Sequence, residues 1–299
     1  MAQGTYVCAW CETSSVGEAI FSCPSCGAPV DIKRVVDGSG WSELPAINDM
    51  AHLELGKSSC QIEGNYVPVA DLNLAAGDGV YFTHHVLLWR DPSVKVTTMS
   101  LKGGWKRLFA GLPLIMTQAH GPGHIAFSHD HPGEMVALPL QAGHTIDVRE
   151  HVLILATSNV AYDWFQTNVW FTTRSGNERE THYPIGMFMD RFKAGKDPGL
   201  VLIHGAGNVF IRKLDKGESI LVKPTALLYK DTTVQMQLHF EHPASKSGGG
   251  SWLWRSWGNR YLWLRLKGPG RVAVQSAYKH MHDPGYTMVQ SSPSTAHQW

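Results

Sequence analysis

A chain of 299 residues with 26 Lys+Arg against 25 Asp+Glu has a formal charge of +1, which argues against a protein whose main work is neutralising phosphates. Its 43% apolar content is ample for a buried core, and its length admits one large domain, or one large and one small. No run of about 18 apolar residues is present for a membrane-spanning helix, and the N-terminus lacks the basic-then-apolar pattern of a secretory signal, so the expected location is the cytoplasm.

The first element is a cysteine module at residues 1–30. Cys8-Ala-Trp-Cys11 and Cys23-Pro-Ser-Cys26 are two C-x-x-C knuckles. Each tight loop turns two thiolates to one side, and two loops complete a tetrahedral S₄ site that suits Zn²⁺. Two disulfides would not fit a cytoplasmic chain, and a redox pair would need a βαβ setting that is not visible here. Four cysteine ligands leave no open coordination position, so the expected cofactor is structural zinc, supplying the folding energy of a zinc ribbon. Residues 31–56, mixed in Gly, Ser, Pro and scattered charge, read as a linker.

From residue 57 to 280 the composition is β-type, with Val, Ile, Leu, Tyr and Thr alternating with polar residues between Gly, Pro and Asp breaks. An internal repeat organises it. LAAGDGVYFTHHVLLWRDPSV from Leu74, LQAGHTIDVREHVLILATSNV from Leu140 and LDKGESILVKPTALLYKDTTV from Leu214 align without a gap. Gly77, Gly143 and Gly217 take equivalent turn positions in that alignment. Trp89, Leu155 and Tyr229 take equivalent inward ones. A second element, Gly-x-Gly before an alternating strand, recurs at Gly121–Gly123, Gly205–Gly207 and Gly268–Gly270. Three like units in one chain are expected to pack around a pseudo-threefold axis.

Five segments stand out between about Cys60 and Tyr278: Gly-Gly-Trp-Lys-Arg-Leu-Phe-Ala-Gly at 103–111, Gly-Pro-Gly-His-Ile-Ala-Phe at 121–127, Pro-Gly-Glu at 132–134, Gly-Ala-Gly at 205–207 and Gly-Pro-Gly-Arg-Val at 268–272. On these segments the stretch resembles the altered-inheritance-of-mitochondria protein twenty-four family, also called the mitochondrial biogenesis family. The resemblance implies an all-β fold of three tandem β-sandwich repeats similar to the tryptophan-attenuator protein (TRAP-like), with no established enzymatic activity. The ribbon lies outside the family's core and points to a bacterial variant.

Two constellations could carry chemistry. Gly123, His129-Asp-His131, Glu134 and Gly143 resemble a cupin metal motif, so the alternative function is a cupin-like metalloenzyme using His129, His131 and Glu134. Against it, the spacings of Glu134 and Gly143 are off and no distal histidine motif is recognisable. The second constellation lies between the copies: Trp105, Lys106, Arg107 and Phe109, then Phe188 and Arg191, then Trp252, Trp254 and Arg255. Gathered by a threefold arrangement, they would form one aromatic and basic end suited to a protein partner, self-association or a peripheral membrane surface. Cys60, alone, reads as a buried small hydrophobe.

The tail at 281–299 is polar and Pro/Ser-rich, and is expected to be mobile. The sequence therefore predicts a non-enzymatic binding or assembly scaffold, with no small-molecule substrate and no nucleic-acid partner.

Overall fold

A computed structural model describes residues 4–7, 13–17, 41–43, 51–55, 57–64, 66–99, 116–175, 177–241, 261–278 and 287–291. Apart from two single-turn 3₁₀ segments, His84–Val86 and Pro224–Ala226, every regular element among them is a strand. The all-β expectation holds. The chain divides into two compact units. Unit 1 holds Met1–Thr145, His151–Asp163 and Phe192–Phe210, and unit 2 holds Ile146–Glu150, Trp164–Arg191 and Ile211–Trp299.

Unit 1 is built on two sheets. One is six-stranded, ordered Gly133–Leu140, Gly199–Ala206, Leu153–Thr157, Gly79–Thr83, Met116–His120 and Lys95–Met99. The other is five-stranded, ordered Ala51–Leu55, Ser58–Glu63, Val69–Leu74, Gly123–Ser128 and Leu87–Arg90. Burial follows sequence pattern. Val69–Leu74 alternates, with Ala70, Leu72 and Leu74 inward. Gly199–Ala206, between two neighbours in the first sheet, is apolar almost throughout and buried from Leu200 to Ile203. The two sheets meet face to face where Phe82 and Phe127, both fully buried, pack edge-on with centroids 4.7 Å apart.

The principal sheet of unit 2 belongs to a seven-stranded order of Val160–Gln166, Phe188–Ala194, Thr145–Arg149, Leu227–Asp231, Gly270–Gln275, Val209–Leu214 and Ser42–Glu43. Two three-stranded sheets accompany it. They are ordered Glu178–His182, Phe171–Ser175, Thr287–Ser291 and Ser219–Val222, Tyr261–Lys267, Gln235–Glu241. Phe171 and Phe240 bring these two together, with ring centroids 5.9 Å apart.

The three aligned stretches share local geometry. Gly77, Gly143 and Gly217 all have φ between +75° and +91°. In each case the next residue donates its N–H to the carbonyl two residues before the glycine: Asp78 to Ala75, His144 to Gln141, Glu218 to Asp215. A β-turn with a left-handed third residue demands glycine there. Farther along, Trp89 pairs with Ala126, Leu155 with Leu202 and Tyr229 with Ala273, each next to a bulge at the same place in the strand. The side-chain oxygens of Asp91, Thr157 and Asp231 accept the backbone N–H of His124, Leu200 and Arg271.

These registers correct one sequence assignment. Gly123 lies opposite Leu74, and the residue lying opposite Leu140 in the same way is Gly199. The middle counterpart of Gly-Pro-Gly is therefore Asp197-Pro198-Gly199, while Gly205–Gly207 lies at the far end of that strand. Trp89 is a second correction. Leu155 and Tyr229 are buried but Trp89 is 49% exposed, because its strand is the edge of the five-stranded sheet while theirs are paired on both sides.

Two boundaries also move. Ala51–Leu55, placed in the linker, pairs with Ser58–Glu63 from Ala51 opposite Ile62 to Leu55 opposite Ser58. Its apolar alternation at Ala51, Leu53 and Leu55 is strand-like, but the Gly- and charge-rich residues before it obscure that. Thr287–Ser291, placed in a mobile tail, pairs with Phe171–Ser175. No helix among the described residues is long and apolar enough to cross a membrane.

Candidate functional site

Strand Gly123–Ser128 runs out of the core of unit 1 into His129-Asp130-His131-Pro132, and the chain re-enters the six-stranded sheet at Gly133. The path of this loop is set by its neighbours. Ser128 Oγ donates to Pro68 O at 3.1 Å. His204, buried on the adjacent strand, has Nε2 3.1 Å from His131 O. Only glycine fits at 133, since a Cβ there would lie 2.2 Å from Gly205 O and 2.6 Å from His204 Nε2.

Four imidazoles collect here. The rings of His129 and His204 stack, with centroids 4.1 Å apart and planes 6° apart. His131 lies 5.4 Å and His85 6.3 Å from His129. Burial holds His129 below the usual histidine range, although Asp130 pulls it back. The same cause, with His129 beside it, brings His204 down to about 4. Both rings are thus neutral at ordinary pH, the form in which imidazole offers a lone pair. Asp130 is held low by its hydrogen bond to His131 and is a carboxylate.

One ligand atom from each of His129, Asp130 and His131 lies within 4.8 Å of the others, and Asp130 Oδ1 is 3.5 Å from His129 Nδ1 and 2.5 Å from His131 Nδ1. Glu134, the third member of the cupin-like pattern, is not in that group. Its carboxylate accepts from Asn208 Nδ2 at 3.0 Å and from the Val209 N–H at 3.2 Å. The carboxylate beside the histidines is Asp130, between them in sequence. His204, some 70 residues distant, left only a weak trace: one histidine directly after the apolar run Leu200–Ile203.

The other sequence-derived residues fall elsewhere. Cys8, Cys11, Cys23 and Cys26 lie outside the described residues, as do Trp105, Lys106, Arg107, Phe109, Trp252, Trp254 and Arg255. Phe188 and Arg191 belong to a strand of unit 2. Phe188 is buried, packing edge-on against Trp164 at 4.9 Å. Arg191 holds Asp147 with two hydrogen bonds, of 2.7 and 3.1 Å, and lies over the Phe165 ring. Neither is the free loop residue that a contact surface needs, because the strand pattern of Phe188–Ala194 turns both toward neighbours. Cys60 is fully buried.

A scan against family models matches residues 60–277 to "Mitochondrial biogenesis AIM24". The chain belongs to the AIM24 family. The match contains the histidine cluster and most of the strands, and leaves the cysteine knuckles outside. Among solved structures, the chain is similar to protein SPYM3_0169 from Streptococcus pyogenes, with a TM-score of 0.52 and 16% identity, over 74% of this chain and 94% of that one. At that identity the likeness shows the AIM24 fold alone. No curated protein matches the chain.

Proposed function

We propose that this AIM24 member is a non-enzymatic assembly scaffold of three tandem TRAP-like sandwiches around a pseudo-threefold axis, preceded by a ribbon that holds structural Zn²⁺ on Cys8, Cys11, Cys23 and Cys26. The common registers of the three aligned stretches support the repeat. The knuckle spacing supports the ribbon.

The observation that carries the scaffold reading is an open strand edge. Leu87–Arg90 ends the five-stranded sheet, and its outer side has no strand partner among the described residues. It displays Leu88, 52% exposed, and Trp89, 49% exposed. Such an edge is a template for adding a strand. The molecule indicates which strand fits. Phe82 of Gly79–Thr83 lies opposite Leu155, and Val148 of Thr145–Arg149 lies opposite Tyr229. By the same offset Trp89 would lie opposite Val222. Ser219–Val222 is itself a sheet edge, with Leu221 exposed. The scaffold assembles when this third pairing is exchanged between copies instead of closing the threefold cycle within one chain, Leu87–Arg90 of one copy pairing with Ser219–Val222 of another. On the sequence alone, Trp105, Lys106, Arg107, Phe109, Trp252, Trp254 and Arg255 remain assigned to partner contact in the same reading, while Phe188 and Arg191 drop out of it. Cytoplasmic placement with peripheral membrane contact belongs to the same reading.

Sedimentation velocity over a concentration series tests it. The wild-type chain should associate, and Trp89→Lys should be monomeric with an unchanged melting temperature. A wild-type chain that stays monomeric up to its solubility limit sinks the idea. So does a Trp89→Lys variant that melts many degrees early, since the ring would then be core.

A further inference from the structure

His129 is fixed from two sides. Its ring is stacked on buried His204 on one side, and on the other it meets His131 and His85. Nδ1 is buried and has no hydrogen-bond partner among the described residues, and in the neutral ring with its proton on Nε2 it presents a bare lone pair. At 3.5 Å that lone pair meets Asp130 Oδ1. Two acceptors face each other with no proton between them, and they repel. The same carboxylate oxygen is 2.5 Å from His131 Nδ1.

From this geometry we infer that His129 Nδ1, Asp130 Oδ1 and His131 Nδ1 form a binding site for a borderline divalent cation of the Zn²⁺ type. A cation there turns the opposed lone pairs into coordinate bonds. Two imidazoles and a carboxylate are a donor set that Zn²⁺ accepts. His204 is a positioning residue that sets the ring plane of His129 by stacking on it. Asp130 and His131 have side chains 77% and 68% exposed, so the remaining coordination positions open to solvent and the ion is exchangeable. This site is separate from the four-cysteine ribbon, it replaces Glu134 of the cupin-like pattern by Asp130, and it does not depend on the scaffold reading.

The experiment is calorimetric titration of Zn²⁺ into the full chain after the ribbon has been loaded and excess metal removed. One further equivalent is expected. His129→Ala and Asp130→Asn should weaken it on the order of 100-fold, and His204→Leu about 10–100-fold through lost positioning. Glu134→Gln should leave the affinity unchanged. Because His129→Ala opens space beside a buried ring, exposed Asp130→Asn, with its melting temperature unchanged, is the variant that decides. Absence of a second equivalent in the wild type overturns the inference. So does a second equivalent that survives undiminished in Asp130→Asn with His131→Ala.

Discussion

Cys60 is fully buried, opposite Leu53 on one side and Leu72 on the other. Burial, with the negative charge of Asp71 nearby, pushes its thiol up to about 12 from an ordinary 9.0. The folded thiolate population therefore falls on the order of 1,000-fold, so a thiol reagent at pH 8 should label Cys60 only as fast as the chain unfolds. The linkage has a definite sign. Between pH 9 and 12 the unfolded thiol loses its proton and the folded one keeps it, so denaturant midpoints should drop as pH rises through that window, and less in Cys60→Ala. Asp147 poses a different residue-scale problem. It is buried with Lys230 Nζ at 2.7 Å and Arg191 Nε at 2.7 Å. Burial lowers the Lys230 pKa even against the pull of Asp147. Asp147→Asn should thus cost about 3–5 kcal/mol in urea unfolding by leaving a buried ammonium without its counter-charge, while Asp147→Leu with Lys230→Met recovers most of it. Equal losses in the single and the double variant would show that packing, not charge, is at stake. The cluster's residues differ in how far sequence could reveal them. His129 and His131 stand out as a local pair. The stacking of His204 and the partners of Glu134 depend on which strands become neighbours, and no local spacing encodes that.

At the scale of elements, the turns were the most legible feature, because a left-handed residue leaves glycine as the natural choice. Gly77 and Gly121 separate two reasons for glycine. At Gly77 a Cβ would meet nothing within 4 Å, but φ is +91°. At Gly121 a Cβ would lie 2.5 Å from Ala75 O and 2.6 Å from Leu74 O. Gly77→Ala should cost about 1–2 kcal/mol through backbone strain. Gly121→Ala should cost about 2–3 kcal/mol, since carbonyls of a paired strand must shift. Thermal scans ranking Gly77→Ala as the worse variant would reverse this account. Burial of the repeated positions was less legible than the turns. Trp89, Leu155 and Tyr229 are equivalent in sequence and in register. Their burial nevertheless differs, because only the latter two lie on strands with a neighbour on both sides. The strands Ala51–Leu55 and Thr287–Ser291 escaped notice for a related reason: short strands in polar surroundings gain their stability from a partner edge rather than from their own pattern.

For the whole molecule, the family match at 60–277 is not the same as the folding unit. Ala51–Leu55 and Thr287–Ser291 lie outside it and complete sheets inside it. Each covers an edge that would otherwise offer unpaired N–H and C=O groups. The knuckles at Cys8–Cys26 are expected to fold on zinc and not on that core. Ser42–Glu43 likewise pairs at the end of the seven-stranded sheet, so a chain cut to residues 41–291 should unfold in one transition at the midpoint of the full chain. A chain cut to 57–280 should lose about 2 kcal/mol and melt roughly 4–8 °C lower. Stripping zinc from the full chain with a chelator, or replacing Cys23 by Ser, should open protease sites upstream of residue 41 and leave the midpoint of the β-domain unchanged. A midpoint that falls with chelation, in both the full chain and Cys23→Ser, would mean that ribbon and β-domain unfold as one cooperative unit.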